Sequence, residues 1–207
     1  MPIRSLVVLL LLSNLLACGG HKHAPIPPGA TVLVLGDSIS FGTGAEKGQD
    51  YPTLLAGNTG WNIINAGIPG DTTTDGLERL PALLEEHNPK FVVVELGGND
   101  FLNHQPLTQT ETNLKSILGK IKSRGIPVVM LAVPTPDLMG AAFGNLSDAP
   151  LFESVGKETD TPVIPHVLAH VLAKNALKSD QIHPNAAGYR QVEEELREAL
   201  KDRGFLQ

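Results

Sequence analysis

Short apolar runs alternate with longer segments of helical periodicity along most of the chain. The apolar runs are TVLVLGDS, WNIINAG, KFVVVELGGND, IPVVMLAVPT and PVIPHVL. Between them, segments such as TTDGLERLPALLEEH and LTQTETNLKSILGKIKSRG repeat leucine or isoleucine every three or four residues, as one face of an amphipathic helix does. Continuous Val, Ile and Leu runs are typical of parallel strands that are covered on both faces. The pattern therefore predicts an α/β domain with a parallel sheet.

The first residues have a different pattern, which predicts export. A basic start, MPIR, precedes SLVVLLLLSNLLA, whose 13 residues are fewer than the ~20 of a membrane-spanning helix. Cys18 follows in LLAC, which resembles the lipobox of bacterial lipoproteins. The alternative is an ordinary signal peptide that leaves one free thiol. We predict a signal peptide over residues 1–17, a lipidated Cys18 with a flexible tether over 18–30, and the folded domain over 31–207. Gly19 favours the outer membrane by the same resemblance.

Composition and charge exclude some classes of function. The chain has 207 residues, 42% of them apolar, which suits one globular domain. Its formal net charge is −6 and it has no run of Lys or Arg, so its charge does not favour a nucleic-acid partner. With one cysteine it can form no intrachain disulfide. His166 and His170 are spaced i, i+4, but HVLAH lacks the glutamate of the H-E-x-x-H motif, and we expect no metal there.

Polar residues and glycines gather where the predicted strands end. The residues of interest are Ser38 in GDS, Gly70 in GIPGD, Asn99 in GGND, and Asp180 with His183 in SDQIHP. Because ligands of parallel sheets bind beyond the carboxyl ends of the strands, these residues are expected to share one edge. A serine needs a base and an orienting carboxylate to become a nucleophile, and N–H donors stabilise the oxyanion that forms. Each motif alone is explained by a turn or a helix cap, but together they indicate acyl transfer.

In the four blocks GDSIS, NAGIPGDTT, GGND and DQIHP the chain resembles the SGNH superfamily of hydrolases, also called GDSL esterases. The resemblance is strongest to bacterial acyl-CoA thioesterases, lysophospholipases and arylesterases. It implies a three-layer α/β/α, flavodoxin-like fold with a five-stranded parallel sheet. It also implies that Ser38 is the nucleophile, His183 the base and Asp180 its partner. The Ser38 N–H, the Gly70 N–H and the Asn99 amide would form the oxyanion hole, with no metal or organic cofactor.

The chain departs from these relatives after GGND and in the region 134–160. Both regions are expected to lie beside the acyl group of a substrate, because loops at this edge of the sheet line the site. Phe101, Leu102, Met139 and Phe143 are therefore candidates for substrate contacts. Ordinary packing beneath the loops is the alternative for all four.

The combined expectation is a serine esterase that cleaves carboxylic ester or thioester bonds through an acyl-enzyme on Ser38. Its partners would be a small-molecule or lipid ester and, through Cys18, a membrane of the bacterial cell envelope. The domain would be a monomer that faces the periplasm. A carbohydrate O-acetyl esterase is an alternative with the same chemistry. A non-catalytic envelope binding protein of the same fold is a further alternative, although such a protein has no need of a complete catalytic set.

Overall fold

A five-stranded parallel sheet forms the centre of the fold in the computed structural model, which describes residues 23–135 and 145–207. The strands are β1 Thr31–Gly36, β2 Asn62–Gly67, β3 Phe91–Glu95, β4 Val128–Leu131 and β5 Val163–Ile164. They lie in the order β2-β1-β3-β4-β5, and every neighbouring pair is parallel. The predicted α/β fold with a five-stranded parallel sheet is confirmed.

Strand β1 lies between β2 and β3, and its register aligns the ends of the three strands. Gly36 is paired with Gly67 of β2 and with Glu95 of β3. All of β3 and all but the first residue of β1 are buried, as expected of strands covered on both faces. The segments that follow these three strands therefore leave the sheet from one side, which we call the carboxyl edge. The opposite side, where the strands begin, is the amino edge.

Helices cover both faces of the sheet. They are α1 Ser38–Phe41, α2 Tyr51–Thr59, α3 Thr73–His87, α4 Gly98–Leu102, α5 Leu107–Lys122, α6 Pro150–Thr159, α7 Val167–Leu172 and α8 Ala186–Asp202, with a 3-10 turn at Asn175–Leu177. Helices α3, α5 and α6 pack together in one layer, and α2, α7 and α8 pack in the other. This is the predicted three-layer α/β/α arrangement. Among these helices none is long and apolar enough to cross a membrane.

Local side-chain chemistry sets the ends of α3, the helix that follows the second strand. Thr72 and Asp75 form a capping box at its start, in which each side chain accepts a hydrogen bond from the backbone N–H of the other. At its end Asn88 adopts a left-handed conformation with φ 41°, and Pro89 then prevents the helix from continuing. These caps determine where α3 begins and ends, and α3 forms most of the connection between β2 and β3.

Residues 23–30, predicted as part of a flexible tether, lie against the domain. Ile26 is 9% exposed, its N–H donates to the Phe205 carbonyl at 2.9 Å, and its own carbonyl accepts from Trp61 Nε1 at 3.1 Å. The ring of His23 stacks on that of Phe205, with centroids 4.3 Å apart. The packed domain therefore begins before the predicted boundary, because apolar surface at the amino edge is available to this segment.

Strand β5 is shorter than PVIPHVL suggests. Only Val163 and Ile164 pair with β4, because Pro165 has no N–H to donate to a ladder. His166 follows with a left-handed φ of 70° and is the N-cap residue of α7. The apolar residues that come next are therefore part of a buried helix and not of a strand.

We expect Phe205→Ala to lower the free energy of unfolding by about 3–5 kcal/mol, because it removes a buried ring and leaves a cavity. The Phe205 ring is 0% exposed and stacks on Phe91 with centroids 4.8 Å apart. Urea unfolding followed by circular dichroism measures the change. Phe41→Ala is the matched control, since it removes the same atoms from a ring that is 57% exposed. Equal losses in the two variants would contradict the core described here.

Candidate active site

Ser38 lies at a tight corner where β1 passes into α1. Asp37 is the N-cap residue of α1, and its Oδ1 accepts from the Ile39 N–H at 3.0 Å. Gly36 has no room for a side chain, because a Cβ there would lie 2.0 Å from Ser40 Oγ. Such close packing of α1 on the end of β1 places Ser38 partly exposed at the carboxyl edge.

The side chains of Ser38, His183 and Asp180 form one hydrogen-bonded line. His183 Nε2 lies 2.9 Å from Ser38 Oγ, and His183 Nδ1 lies 2.7 Å from Asp180 Oδ2. The imidazole is 15% exposed and the carboxylate is 51% exposed. The structure thus brings together the three residues predicted from widely separated blocks. Their order matches what a serine nucleophile, its base and an orienting carboxylate need.

Asp180 also organises the loop that carries His183. Its Oδ1 accepts from the N–H groups of Ile182 and His183, both at 2.8 Å. Partial burial raises the pKa of Asp180, but hydrogen bonds from the His183 ring and from these two N–H groups outweigh burial, and the pKa lies below its ordinary value. Asp180 is therefore an anion at neutral pH, able to orient the imidazole and to stabilise its protonated form.

Asn185 holds the loop at the start of α8. Its Oδ1 accepts from the N–H groups of Ala187 and Gly188 at 2.9 and 3.0 Å, which makes it the helix N-cap. Its Nδ2 donates to the carbonyls of Ala176 and Lys178 at 2.9 and 3.1 Å. Asn185 is not among the predicted site residues. An asparagine ahead of a helical segment does signal a cap, but its bonds to the preceding turn have no sequence signal.

Asn99 connects the segments that follow the first three strands. Its Nδ2 donates to Asp37 Oδ2 at 3.1 Å and to the Asp71 carbonyl at 2.9 Å. Asp37 directly precedes Ser38, and Asp71 directly follows Gly70. The three predicted oxyanion donors therefore surround the same corner. An oxyanion bound there would compete with the Asp71 carbonyl for one hydrogen of the amide.

The backbone donors near this corner differ in whether their N–H groups are already used. Within residues 23–135 and 145–207, neither the Ser38 N–H nor the Gly70 N–H donates to another group. The Gly67 N–H, at the end of β2, donates to Asn65 Oδ1 at 3.0 Å. Gly70 has a φ of 89°, a conformation that glycine adopts without strain. The geometry thus favours Gly70 over Gly67 as a donor to a bound oxyanion.

A salt bridge holds the Gly70 loop against the end of β1. Arg79 Nε lies 2.7 Å from Asp71 Oδ2, and Arg79 Nη2 donates to the Gly36 carbonyl at 2.8 Å. The two charged side chains are only 19% and 13% exposed, so solvent screens the pair weakly. Arg79 could not be recognised from its sequence, because no local pattern marks a contact that spans 43 residues.

The predicted substrate contacts have different surroundings. The Phe101 ring packs edge-on against Phe152, with centroids 6.4 Å apart, which fits the packing alternative. Leu102 is 43% exposed beside Asn99 on α4. Met139 and Phe143 lie outside the residues that the structure describes, as does Cys18.

His166 and His170 each face a carboxylate. His166 Nδ1 lies 3.2 Å from Asp148 Oδ2, and His170 Nδ1 lies 3.1 Å from Glu195 Oε2. Both imidazoles are more than half exposed. In the part of the chain that the structure describes, no group of three or more His, Cys, Asp or Glu side chains is arranged to hold a metal ion.

With this geometry established, comparisons with known proteins identify relatives. The chain matches the GDSL-like Lipase/Acylhydrolase family over residues 34–191, a range that includes every described residue of the corner and of its histidine loop. It is 38% identical over 160 residues to thioesterase 1/protease 1/lysophospholipase L1 of Escherichia coli, and the matched region covers 75% of this chain and 76% of that protein. It is 34% identical over 177 residues to esterase TesA of Pseudomonas aeruginosa, covering 83% and 88%.

The solved structures and a more distant relative extend this likeness. The crystal structure of TesA superposes with a TM-score of 0.74 at 34% identity, covering 84% of this chain and 99% of that one. A protein named uncharacterized lipoprotein YqeF, from Bacillus subtilis, is 27% identical over 146 residues, covering 62% of this chain and 56% of its own. The TesA structure is therefore similar to this chain both in sequence and in fold, over most of the length of each chain.

We expect Asn185→Ala to lower the free energy of unfolding by about 2–3 kcal/mol, since it removes a helix cap and two further hydrogen bonds. Asn185→Ser keeps a capping oxygen and loses only the Nδ2 donors, so its loss should be about 1 kcal/mol. Urea unfolding measures both, and Asn58→Ala, at an exposed position of α2, is the control. If Asn185→Ala were as stable as the control, the loop would not depend on this side chain.

Proposed function

The chain belongs to the GDSL-like lipase/acylhydrolase family of ester hydrolases, and we propose that it works as a serine esterase through an acyl-enzyme on Ser38. The observation that carries this proposal is the line from Asp180 through His183 to Ser38, with spacings of 2.7 and 2.9 Å. A serine hydroxyl is a weak nucleophile until an adjacent base accepts its proton, and this line supplies that base already oriented.

In the first half of the reaction Ser38 Oγ attacks the carbonyl carbon of the ester while its proton passes to His183 Nε2. The carbonyl oxygen becomes an oxyanion, and Asp180 stabilises the imidazolium. The bond to the leaving oxygen, or sulfur in a thioester, then breaks, and that atom takes the proton from His183. In the second half His183 removes a proton from water, the water oxygen attacks the acyl carbon, and the acid leaves as Ser38 regains its proton.

Stabilisation of the oxyanion falls to three donors in this proposal. The unused N–H groups of Ser38 and Gly70 support that role, and the Asn99 amide supplies the third donor. A single donor of this kind contributes about 3–4 kcal/mol to the stability of the transition state. Because these donors belong to three separate segments of the chain, they favour the tetrahedral intermediate only while the carboxyl edge keeps its shape.

The surroundings of the corner favour an ester with an apolar part. The large apolar side chains that are exposed, in the two described ranges, are Phe41, Ile68, Leu102, Leu107 and Ile182. Four of them lie on the segments that carry the proposed catalytic groups: the end of α1, the Gly70 loop, the Asn99 helix and the Asp180–His183 loop. An apolar rim suits an acyl chain or an aryl group better than an acetylated sugar. The relative named a thioesterase and lysophospholipase supports the same preference.

We place the protein in the bacterial cell envelope, anchored by lipid at Cys18 and facing the periplasm from the outer membrane. Support comes from the sequence, where a short apolar run ends in LLAC followed by Gly19. The relative named a lipoprotein points in the same direction. Envelope lysophospholipids and short-chain or aryl esters would then be the available substrates.

We expect the purified full-length chain to hydrolyse p-nitrophenyl esters, and Ser38→Ala to lower kcat by at least about 10³-fold, because no other group replaces the nucleophile. A series from acetate to palmitate measures the rate at each chain length. Ser116→Ala, on α5, is the control and should match the wild type. Equal activity of wild type and Ser38→Ala would refute the nucleophile. A marked preference for acetate would favour the O-acetyl esterase alternative.

We expect radiolabelled palmitate to be incorporated into the protein in growing bacteria and to be absent from Cys18→Ser, because the sulfur of Cys18 is the atom that would carry the lipid. Gel autoradiography of the immunoprecipitated protein measures the label, and Ser38→Ala is the control that should keep it. Equal label in Cys18→Ser would show that the lipid is attached elsewhere. Lack of label in the wild type would favour an ordinary signal peptide.

A further inference from the structure

Two carboxyl groups lie buried directly behind the Ser38 corner, and the mechanism above uses neither. Asp37 is 3% exposed and Glu95 is 0% exposed. They come from different strands, since Asp37 follows β1 and Glu95 is the last residue of β3. The parallel register pairs Glu95 with Gly36, the neighbour of Asp37, and the charge of Asp37 raises the pKa of Glu95. Burying two acidic groups together is unfavourable unless their contacts compensate.

Asp37 bonds to two different parts of the corner. Its Oδ1 accepts from the Ile39 N–H at 3.0 Å, which caps α1. Its Oδ2 accepts from Asn99 Nδ2 at 3.1 Å. One carboxylate therefore joins the helix that carries Ser38 to the amide proposed as an oxyanion donor. Both bonds have an anionic acceptor, and such bonds are stronger than those between neutral groups.

Glu95 makes a separate set of contacts, all on the first turn of α1. Its Oε2 accepts from the Ser40 N–H at 3.2 Å and from Ser40 Oγ at 2.7 Å. Ser40 Oγ lies 2.8 Å from the Tyr51 hydroxyl, so this series of hydrogen bonds continues to α2. Glu95 Oε1 is buried and has no hydrogen-bond partner in residues 23–135 or 145–207. An unbonded buried oxygen is less costly on a neutral carboxylic acid than on a carboxylate.

The charge state of the pair follows from this burial. Burial raises the pKa of Asp37 to about 6, and burial together with the charge of Asp37 raises the pKa of Glu95 well above its ordinary value. The groups that face this pair from the neighbouring elements are His183 before α8, Asp71 after β2, Asp100 on α4, Arg79 on α3 through the Gly36 carbonyl, and Tyr51 on α2. Since its pKa is about 6, Asp37 is mostly an anion at pH 7, whereas burial and the charge of Asp37 favour the protonated form of Glu95.

We propose that Asp37 is a positioning residue of the oxyanion hole, whose carboxylate holds the Asn99 amide in line with the Ser38 corner. Burial favours the protonated form of Glu95, and a neutral Glu95 would not repel the Asp37 carboxylate. The inference rests on the proposed function, because it assigns Asp37 an effect on ester hydrolysis that is transmitted through Asn99. A residue that served only as the cap of α1 would affect stability and would not act through Asn99.

Two substitutions separate these roles. Asp37→Asn keeps the size of the side chain but turns an NH2 group toward the NH2 group of Asn99, where two donors face each other. Asp37→Ser keeps a good N-cap oxygen for Ile39 and is too short to reach Asn99. Asp50→Asn is the matched control, because Asp50 is also a buried N-cap aspartate, 8% exposed, at the start of α2.

The test is a double-mutant cycle on hydrolysis of a p-nitrophenyl ester by the full-length chain. We expect Asp37→Asn and Asp37→Ser each to lower kcat by ~10–100-fold with less than about a threefold change in KM, because full loss of one oxyanion donor costs ~10²–10³-fold. In an Asn99→Ala background the same substitutions should lower kcat by less than about threefold. Asp50→Asn should leave kcat within about twofold of the wild type.

Additive effects of Asp37 and Asn99 would overturn the inference, and so would an unchanged kcat in folded Asp37→Ser. If Asp37→Asn fails to fold, the cycle with Asp37→Ser still decides, since that variant keeps the helix cap. The proposed function fails differently: the wild type would then be inactive, or Ser38→Ala would be as active as the wild type. A cycle that couples Asp37 to Asn99 while Ser38→Ala is inactive supports both.

Discussion

The parallel pairing of β1 with both of its neighbours is the constraint on which the site depends. Because Gly36 is in register with Gly67 and with Glu95, three loops leave the sheet at one level. The hydrogen bonds of Asn99 to Asp37 and to the Asp71 carbonyl are possible only at that level. A slip of β3 by one residue would exchange the faces of its side chains and remove the Asn99 donor from the corner. The geometry of the proposed active site is in this sense a property of the sheet.

The carboxyl edge contains two buried acidic groups, Asp37 and Glu95. Burying their charged forms lowers the stability of the fold, while their hydrogen bonds fix the geometry of the Ser38 corner. The pKa of Asp37 rises from 3.8 to about 6 on folding, so the fold favours the protonated form. The free energy of unfolding therefore falls as the pH rises from 3.8 to about 6, where Asp37 becomes the anion that Asn99 requires. Asp180 has the opposite effect. Its pKa is lowered on folding, so its ionised form stabilises the fold at any pH above its ordinary pKa, and this contribution is lost as the pH falls through the lowered pKa. The two aspartates near Ser38 thus have opposite effects on stability.

Much of the fold and the centre of the site could be predicted, since periodicity and short motifs are local. Strand β1 ends at Gly36 and Ser38 follows it closely, as expected, and Asp180 is three residues before His183, so one turn of chain carries both. The contacts of Arg79 could not be predicted, because they join distant segments without a local pattern. The packing of Ile26 was missed for a related reason: a proline-rich segment resembles a linker until its apolar side chain finds a surface. Sequence patterns predict which groups reach an edge, but not which partners hold them there.

The ring stack between His23 and Phe205 has a practical consequence. Both residues lie at the amino edge, where the strands begin, while Ser38 lies at the other end of β1, about 20 Å away for a strand of this length. A bead, an electrode or a fused carrier protein attached near either residue would therefore sit on the far side from the reaction. Immobilised in that way, every copy would be oriented alike, with its reactive corner open to the bulk solution.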